Sequence, residues 1–411
     1  MGIYLDNSAT TRQYDQVTEK MMEMMREDFG NPSSLHQMGL NAEKALKKAR
    51  KQLEDAMSVY NHDIYFTSGG TEGDNTAIFG VCNSKKRLGK KIITSKVEHP
   101  AVLEAFKKME EQGFEATYID VDSGGFVDVE QIREAVCDDT ILISIMHVNN
   151  ESGTIQPIDK IATLKKNATF HTDAVQSFGK LPVPKDEADI ITVSGHKIHG
   201  PKGIGAIAIK KNLNISPFIV GGGQEKHFRS GTENMPACVG FGLAAEMSCK
   251  NLDSRMTEVK KVRDYLQAGL KREIKDVKIN TPEESCPSIL NVSFLGTRGE
   301  VILHTLEQSD IFVSTGSACS SNKGGGSHVL KAMGLSQREI DGAIRFSFSE
   351  FNTIDEMDYV IEKTKKAVGR FRKMSTASDL TTMGVLVSVP PRLDCICISS
   401  LPGGTCPAAA A

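Results

Sequence analysis

No C-x-x-C pair occurs in this chain: Cys82, Cys137, Cys238, Cys249, Cys286 and Cys319 all stand singly. That spacing offers neither a zinc knuckle nor a thioredoxin-like redox pair, and no His, Cys, Asp or Glu group has ligand spacing, so no metal site is expected. In a reducing compartment most such cysteines are small buried hydrophobes. No apolar run approaches the roughly 20 residues that span a bilayer. The opening, Met1-Gly2-Ile3-Tyr4-Leu5-Asp6, lacks the basic and apolar regions of a secretory signal, and Asp6 stands where myristoylation wants Ser or Thr. Neither sign of charge dominates. With 49 Lys and Arg against 52 Asp and Glu, the net charge is −3, which gives no broad attraction for nucleic acid or acidic membranes. No repeat of roughly 20–50 residues is visible. These absences point to a cytoplasmic globular protein.

What the chain has is alternation. From about residue 60, apolar strand-like runs at 64–67, 92–94, 117–121, 140–148, 168–172, 190–193 and 204–209 are separated by helical patterns. This predicts an α/β fold with a mainly parallel sheet flanked by helices. The run 140–148 is nearly continuous Ile, Leu, Val and Met, as expected of a strand buried on both faces. A charged helical segment over 247–274 reads as a connector. Beyond it, strands at 288–294, 311–314 and 344–348 and a helix over 354–373 predict a smaller α/β domain. At 411 residues the chain suggests two domains. Residues 12–255 form the large one, and 1–11 with 256–374 the small one. Residues 375–411, rich in Ser, Thr, Pro, Gly, Cys and Ala, read as a disordered tail. Its Cys395, Cys397 and Cys406 lack ligand spacing.

In open parallel sheets ligands bind beyond the carboxyl ends of the strands. There the sequence places Ser68-Gly69-Gly70-Thr71, Glu98-His99, Asn149-Asn150-Glu151, Asp173-Ala174-Val175-Gln176 and Ser194-Gly195-His196-Lys197. The glycines before a helix offer N–H groups and a positive dipole end to a phosphate. A plain tight turn fits them about as well, and the Lys-Ser/Thr of a Walker loop is missing. A strand-end lysine is where a Schiff base to a carbonyl cofactor is usually built, although lysines at strand ends are common on surfaces too. Five successive strand ends bearing polar, ring-stacking or ionisable groups suit a pyridine cofactor with a phosphate handle. A further segment, Ser317-Ala318-Cys319-Ser320-Ser321 with Gly324-Gly325-Gly326 behind it, reads as a cysteine nucleophile on a swinging loop. A rigid glycine-rich turn is the alternative.

Tyr4-Leu5-Asp6-Asn7-Ser8-Ala9-Thr10-Thr11, Phe29-Gly30-Asn31-Pro32-Ser33-Ser34 and Met146-His147-Val148-Asn149-Asn150-Glu151 resemble the cysteine desulfurases of the NifS/IscS type. So do residues 194–205, Arg229-Ser230-Gly231-Thr232 and Gly316-Ser317-Ala318-Cys319. These are pyridoxal 5'-phosphate enzymes of the class V aminotransferase superfamily, with fold type I. The similarity runs from about residue 3 to 373.

The resemblance implies that Lys197 binds the cofactor covalently and that His99 stacks on its ring. Asp173 would pair with the ring nitrogen and Gln176 with the ring hydroxyl. Gly70, Thr71, Ser194 and His196 would hold the phosphate, completed by Thr232 of a second subunit, which implies a homodimer. Asn150 and Arg345 would contact the substrate carboxylate, and Cys319 would accept sulfur from L-cysteine and pass it to an acceptor protein. Either the bound substrate or His99 would assist ionisation of that thiol. His171 and His199 are expected to shape loops near the site, and His328 to be a surface or packing residue. Departures from the family pattern are Gly70 for a frequent Ala, Ser152 for Ile and Thr172 for Val. None removes a functional group. The tail does not resemble the extension of members that serve the common iron–sulfur scaffold, so thiocofactor synthesis or tRNA thiolation stands beside iron–sulfur cluster assembly as the sulfur's destination. Rival readings are a selenocysteine lyase, an aminotransferase, or a non-catalytic sulfur-relay scaffold.

Overall fold

The structure, a computed structural model, describes residues 2–316 and 326–376, with side chains up to Lys373. In chain order the first elements are β1 (Ile3–Tyr4), α1 (Asp15–Arg26), α2 (Gln37–Met57), β2 (His62–Thr67), α3 (Gly70–Lys85), β3 (Lys91–Ser95) and α4 (Pro100–Glu111). Next come β4 (Glu115–Ile119), α5 (Val129–Ala135), β5 (Thr140–Ser144), α6 (Ile158–Ala162), β6 (Thr169–Asp173), β7 (Ile190–Ser194) and β8 (Gly205–Lys210). The remainder is α7 (Met235–Cys249), α8 (Leu252–Glu273), β9 (Val277–Ile279), β10 (Ile289–Phe294), α9 (Gly299–Glu307) and β11 (Ile311–Phe312). Short helices α10 (His328–Ala332) and α11 (Gln337–Asp341), then β12 (Ala343–Ser347) and α12 (Ile354–Thr376), close the described chain.

A seven-stranded sheet of order β2-β8-β7-β6-β5-β3-β4 forms the centre. Only β8 runs against the others, pairing antiparallel with both β2 and β7. Helices cover both faces. Ile191 and Val193 of β7 pack with α1, α2 and α7, whereas Ile190 packs with α3 and α4. Burial of successive residues against opposite layers is why β7 carries apolar side chains at both odd and even positions. Gly73 lets α3 lie flush on the sheet, since a β-carbon there would sit 2.5 Å from Thr192 Cγ2.

A second core is built from α8, α9, α12 and the antiparallel sheet β12-β10-β9, with Leu5 inserted into it. Arg345 pairs with Asn291 in that sheet, and the Asp6–Ser347 bridge lays the N-terminal segment beside β12. Residues 6–9 are thereby carried from the second core towards the end of β7.

Three expectations change. The strand expected over 140–148 stops at Ser144, because β3 ends and the Met146 N–H turns to the Glu98 carboxylate at 3.0 Å and 3.1 Å. The chain still runs extended along β6, with Ile145 and His147 N–H groups bonded to the carbonyls of His171 and Asp173. The connector over 247–274 is two helices, broken where Asn251 takes a left-handed conformation (φ 52°) that Asn tolerates better than most residues. Helix α12 continues to Thr376, into the expected tail, since neither Pro nor Gly interrupts Ser375 and Thr376. The rest of that tail, 377–411, lies outside the described residues.

Between the cores, Glu350 accepts from Tyr14 Oη, lies 3.0 Å from Arg255 Nη1 and 3.5 Å from His199 Nε2. Burial raises its pKa, but His199, Arg255 and Tyr14 outweigh it and hold the carboxyl well below the usual carboxylate range. A depressed acid stabilises the fold above its unfolded pKa of roughly 4.3 and loses that contribution as pH falls. Urea titrations should therefore find Glu350→Gln less stable by about 2 kcal/mol above pH 5, with the gap closing below pH 4. A gap independent of pH would exclude an ionic role.

Candidate active site

A cavity of about 310 Å³ opens at the carboxyl ends of the parallel strands. It brings together Gly70, Thr71, His99, Asn150, Asp173, Gln176, Ser194, His196, Lys197 and Arg345. Of the expected residues with described positions, only Thr232 is absent. It lines a separate cavity of about 250 Å³ with Glu225 and Arg229.

Lys197 ends the single 3-10 turn that follows β7. Its Nζ donates to Ser8 O at 2.5 Å and Ala9 O at 2.7 Å. Two carbonyls from the N-terminal segment thus hold the amine at the cavity. Asp173, at the end of β6, is buried and accepts from Val175 N at 2.9 Å. Burial pushes its pKa up, while Val175 N–H and Lys197 draw it back. A cation at the ring-nitrogen position would keep it ionised. Asp74 lies on the same cavity, buried, with Oδ1 3.5 Å from His171 Nε2; burial and the neighbouring Asp173 hold its pKa well above the carboxylate range.

His99 caps α4, its Nδ1 accepting from Ala101 N at 3.1 Å, with Pro100 starting the helix. Burial, then Lys197 and His328, lower its pKa to about 4. The ring is neutral at pH 7 and carries its proton on Nε2.

One end of the cavity is the N-terminus of α3, a 16-residue helix beginning at Gly70. Beside it Ser194 Oγ is buried with no hydrogen-bond partner among the described residues, and His196 Nδ1 is 3.2 Å from Thr10 Oγ1. A β-carbon at Gly70 would come within 2.8 Å of Val175 Cγ2, so glycine at 70 makes room for valine at 175. An orphaned hydroxyl beside free helix N–H groups suits a phosphate, and a buried carboxylate across from a lysine amine suits a pyridine aldehyde. The residues present fit pyridoxal phosphate.

Arg345 is already engaged: Nη1 donates to Asn150 O at 3.0 Å and Nη2 to Asp6 Oδ1 at 2.8 Å, while buried Nε has no hydrogen-bond partner among the described residues. A substrate carboxylate would meet an arginine held in place on two sides. Cys319 lies outside the described residues. On one side of it Gly316 lines the cavity, and on the other Ser327 Oγ donates to Glu151. Glu151, also on the cavity, is raised to about 7 by burial.

Sequence reasoning missed Ser8, Ala9, Asp74 and His328. His328 is not merely a surface or packing residue: it lines the cavity, its Nε2 2.9 Å from Glu98 O. A turn carbonyl carries no side-chain signal, and His328 follows a glycine run whose path cannot be read from spacing. His171 does not shape a loop: it lies within β6, buried between Ser144 Oγ (2.8 Å) and Thr192 Oγ1 (3.0 Å), and burial lowers it to about 3. His199 stacks on Tyr14 at 4.6 Å and bonds Arg12 O, so it does shape a loop.

The aminotransferase class-V family matches residues 3–360. The chain is 42% identical over 380 residues to the cysteine desulfurase IscS of Clostridium botulinum, covering 91% of this chain and 96% of that one. It is 44% identical over 378 residues to the cysteine desulfurase IscS of Methanosarcina thermophila, covering 91% and 94%. A solved NifS-like protein superposes with a TM-score of 0.85 at 39% identity, over 90% of this chain and all of the other. Sequence, fold and the convergence of Lys197 with Asp173 agree: the chain belongs to the class-V aminotransferase family, among the pyridoxal-phosphate-dependent cysteine desulfurases of the NifS/IscS type.

Proposed function

We infer that this protein is a cysteine desulfurase that converts L-cysteine to L-alanine and leaves the sulfur on Cys319 as a persulfide for an acceptor protein. The observation that carries the reading is the meeting of Lys197, Asp173 and His99 on one cavity whose far end is a helix N-terminus. Pyridoxal phosphate, when bound, supplies an electron-poor ring that stabilises negative charge at the substrate α-carbon.

The chain's own groups then divide the work. Gly70, Thr71, Ser194 and His196 hold the phosphate, and Asp173 places a negative charge beside the ring nitrogen. Asn150 and Arg345 fix the substrate carboxylate, which orients the Cα–H bond. Lys197 Nζ takes the α-proton and returns a proton to carbon. The Cys319 thiolate attacks the substrate sulfur: an S–S bond forms, the C–S bond breaks, and its electron pair stays with the three-carbon fragment. Protonation of that fragment gives alanine, so cysteine and one thiol yield alanine and one persulfide. A second copy of the chain would bring Thr232 to the phosphate end. The same reading divides the chain into a large unit, 12–255, and a small one, 1–11 with 256–374, supported by their separate cores.

The test is to supply pyridoxal phosphate and L-cysteine without an acceptor and measure both products. One alanine per Cys319 persulfide is expected in the first turnover, located by mass spectrometry of the peptide. Cysteine consumed without alanine would refute the reading.

A further inference from the structure

Lys180 is a buried cation that the reaction does not require. It follows Gln176 by four residues in the turn after β6, is 7% exposed, and donates from Nζ to Gln176 Oε1 at 3.2 Å. Burial is the main cause that lowers its pKa to about 8; Cys286 opposes it, and Arg255 and Arg345 add to it. Burying an ammonium is costly, and an apolar side chain of the same length would fill this space at less cost. Its retention calls for a role.

That role lies in the Gln176 amide. Nε2 donates one hydrogen to Ser8 O at 3.0 Å, while Oε1 accepts from Lys180. Flipping the amide would set its N–H groups against the ammonium and its oxygen against the Ser8 carbonyl, so both contacts would turn repulsive. With the amide fixed, the second Nε2 hydrogen is the one left for the cavity that Gln176 lines. Ser8 O also accepts from Lys197 Nζ at 2.5 Å, so Lys180, Gln176, Ser8 and Lys197 form one hydrogen-bonded chain.

We propose that Lys180 is a positioning residue that orients the Gln176 amide so that an N–H, and not the carbonyl, faces the ring oxygen of the cofactor. This rests on the desulfurase reading and on the contact of Gln176 with the ring hydroxyl that the family resemblance implies. Without the ammonium, the amide populates both orientations, and in one of them two oxygens oppose each other.

The experiment titrates pyridoxal phosphate into cofactor-free wild type, Lys180→Met, Lys180→Arg, Gln176→Ala and the Lys180→Met/Gln176→Ala pair, reading the dissociation constant and the position of the visible band. Lys180→Met should bind roughly ten-fold more weakly, the size of a lost charge-assisted hydrogen bond, and shift the band. Gln176→Ala should do the same, and adding Lys180→Met to it should change neither readout further. Lys180→Arg, which keeps a cationic donor, should bind within about two-fold of wild type and keeps the test open if Lys180→Met does not fold. Thermal unfolding of the cofactor-free proteins separates the roles, because a purely structural lysine would alter the melting temperature but not the band. Wild-type binding by Lys180→Met alongside impaired Gln176→Ala would overturn the proposal while sparing the placement of Gln176. Unchanged binding by Gln176→Ala would overturn both. An Arg variant as impaired as Gln176→Ala would also count against Lys180 as an orienting cation.

Discussion

Lys197→Ala is expected to abolish turnover, by about 10⁴-fold or more, and to remove the yellow colour of lysine-bound cofactor. A positioned general base contributes roughly 10²–10⁴-fold on its own, and losing the covalent attachment point adds to that. The geometry explains why no neighbour would substitute. Lys197 Nζ is held by Ser8 O and Ala9 O at the mouth of the cavity, and the other buried amine near it, Lys180, is committed to Gln176. His99 and His196 are lowered to about 4, chiefly by burial, but the Nδ1 of His99 is occupied by a helix cap and that of His196 lies against Thr10. Truncation also strips Ala9 O of its Lys197 donor, which costs on the order of 1–3 kcal/mol if water does not replace it, whereas Ser8 O keeps the Gln176 amide. A melting curve of the cofactor-free variant distinguishes that loss from the chemical one. Alanine formation above about one per cent of wild type, with the fold intact, would remove Lys197 from the central role.

Cys319→Ser should leave the colour and the affinity for L-cysteine within about two-fold of wild type, yet lower alanine formation by about 10³-fold or more. The hydroxyl is not ionised near neutral pH, whereas a thiol with a pKa of about 8.5 is a few per cent thiolate and intrinsically a strong nucleophile. In the proposed reaction attack on sulfur is the step that breaks the C–S bond, so nothing after it would proceed. The result discriminates between classes of enzyme. An aminotransferase does not need Cys319, and cysteine-dependent alanine with sulfide release from Cys319→Ser would overturn the desulfurase reading. A selenocysteine lyase would show itself by turning over selenocysteine far faster than cysteine in the wild type.

Much of the architecture was legible because strand burial writes itself into side-chain type. Ile190, Ile191 and Val193 are apolar because α3 and α4 cover one face of β7 and α1, α2 and α7 the other. The same logic failed at 145–148, where burial continues but the ladder with β3 does not. Period and polarity report the environment of a residue and not the partner of its N–H. At the site, residues that end strands were readable one by one, since a carboxylate, an imidazole or an amine after an apolar run is conspicuous. Asp74 was not, because it sits inside a helix where an acid looks like surface decoration, and only packing of α3 against the sheet buries it.

The order of strands and helices, the ionisable groups at the strand ends and the family were determined by the sequence alone, since each depends on residue type and local spacing. Tertiary structure decided which groups hold which. Lys197 meets carbonyls 189 and 188 positions away, and Arg345 meets Asp6 across 339. It decided, too, that His99 carries its proton on Nε2 and that Thr232 stands apart from the main cavity. Such pairings are set by how two cores pack around one cavity, and burial there shifts protonation in ways that no local run of residues encodes.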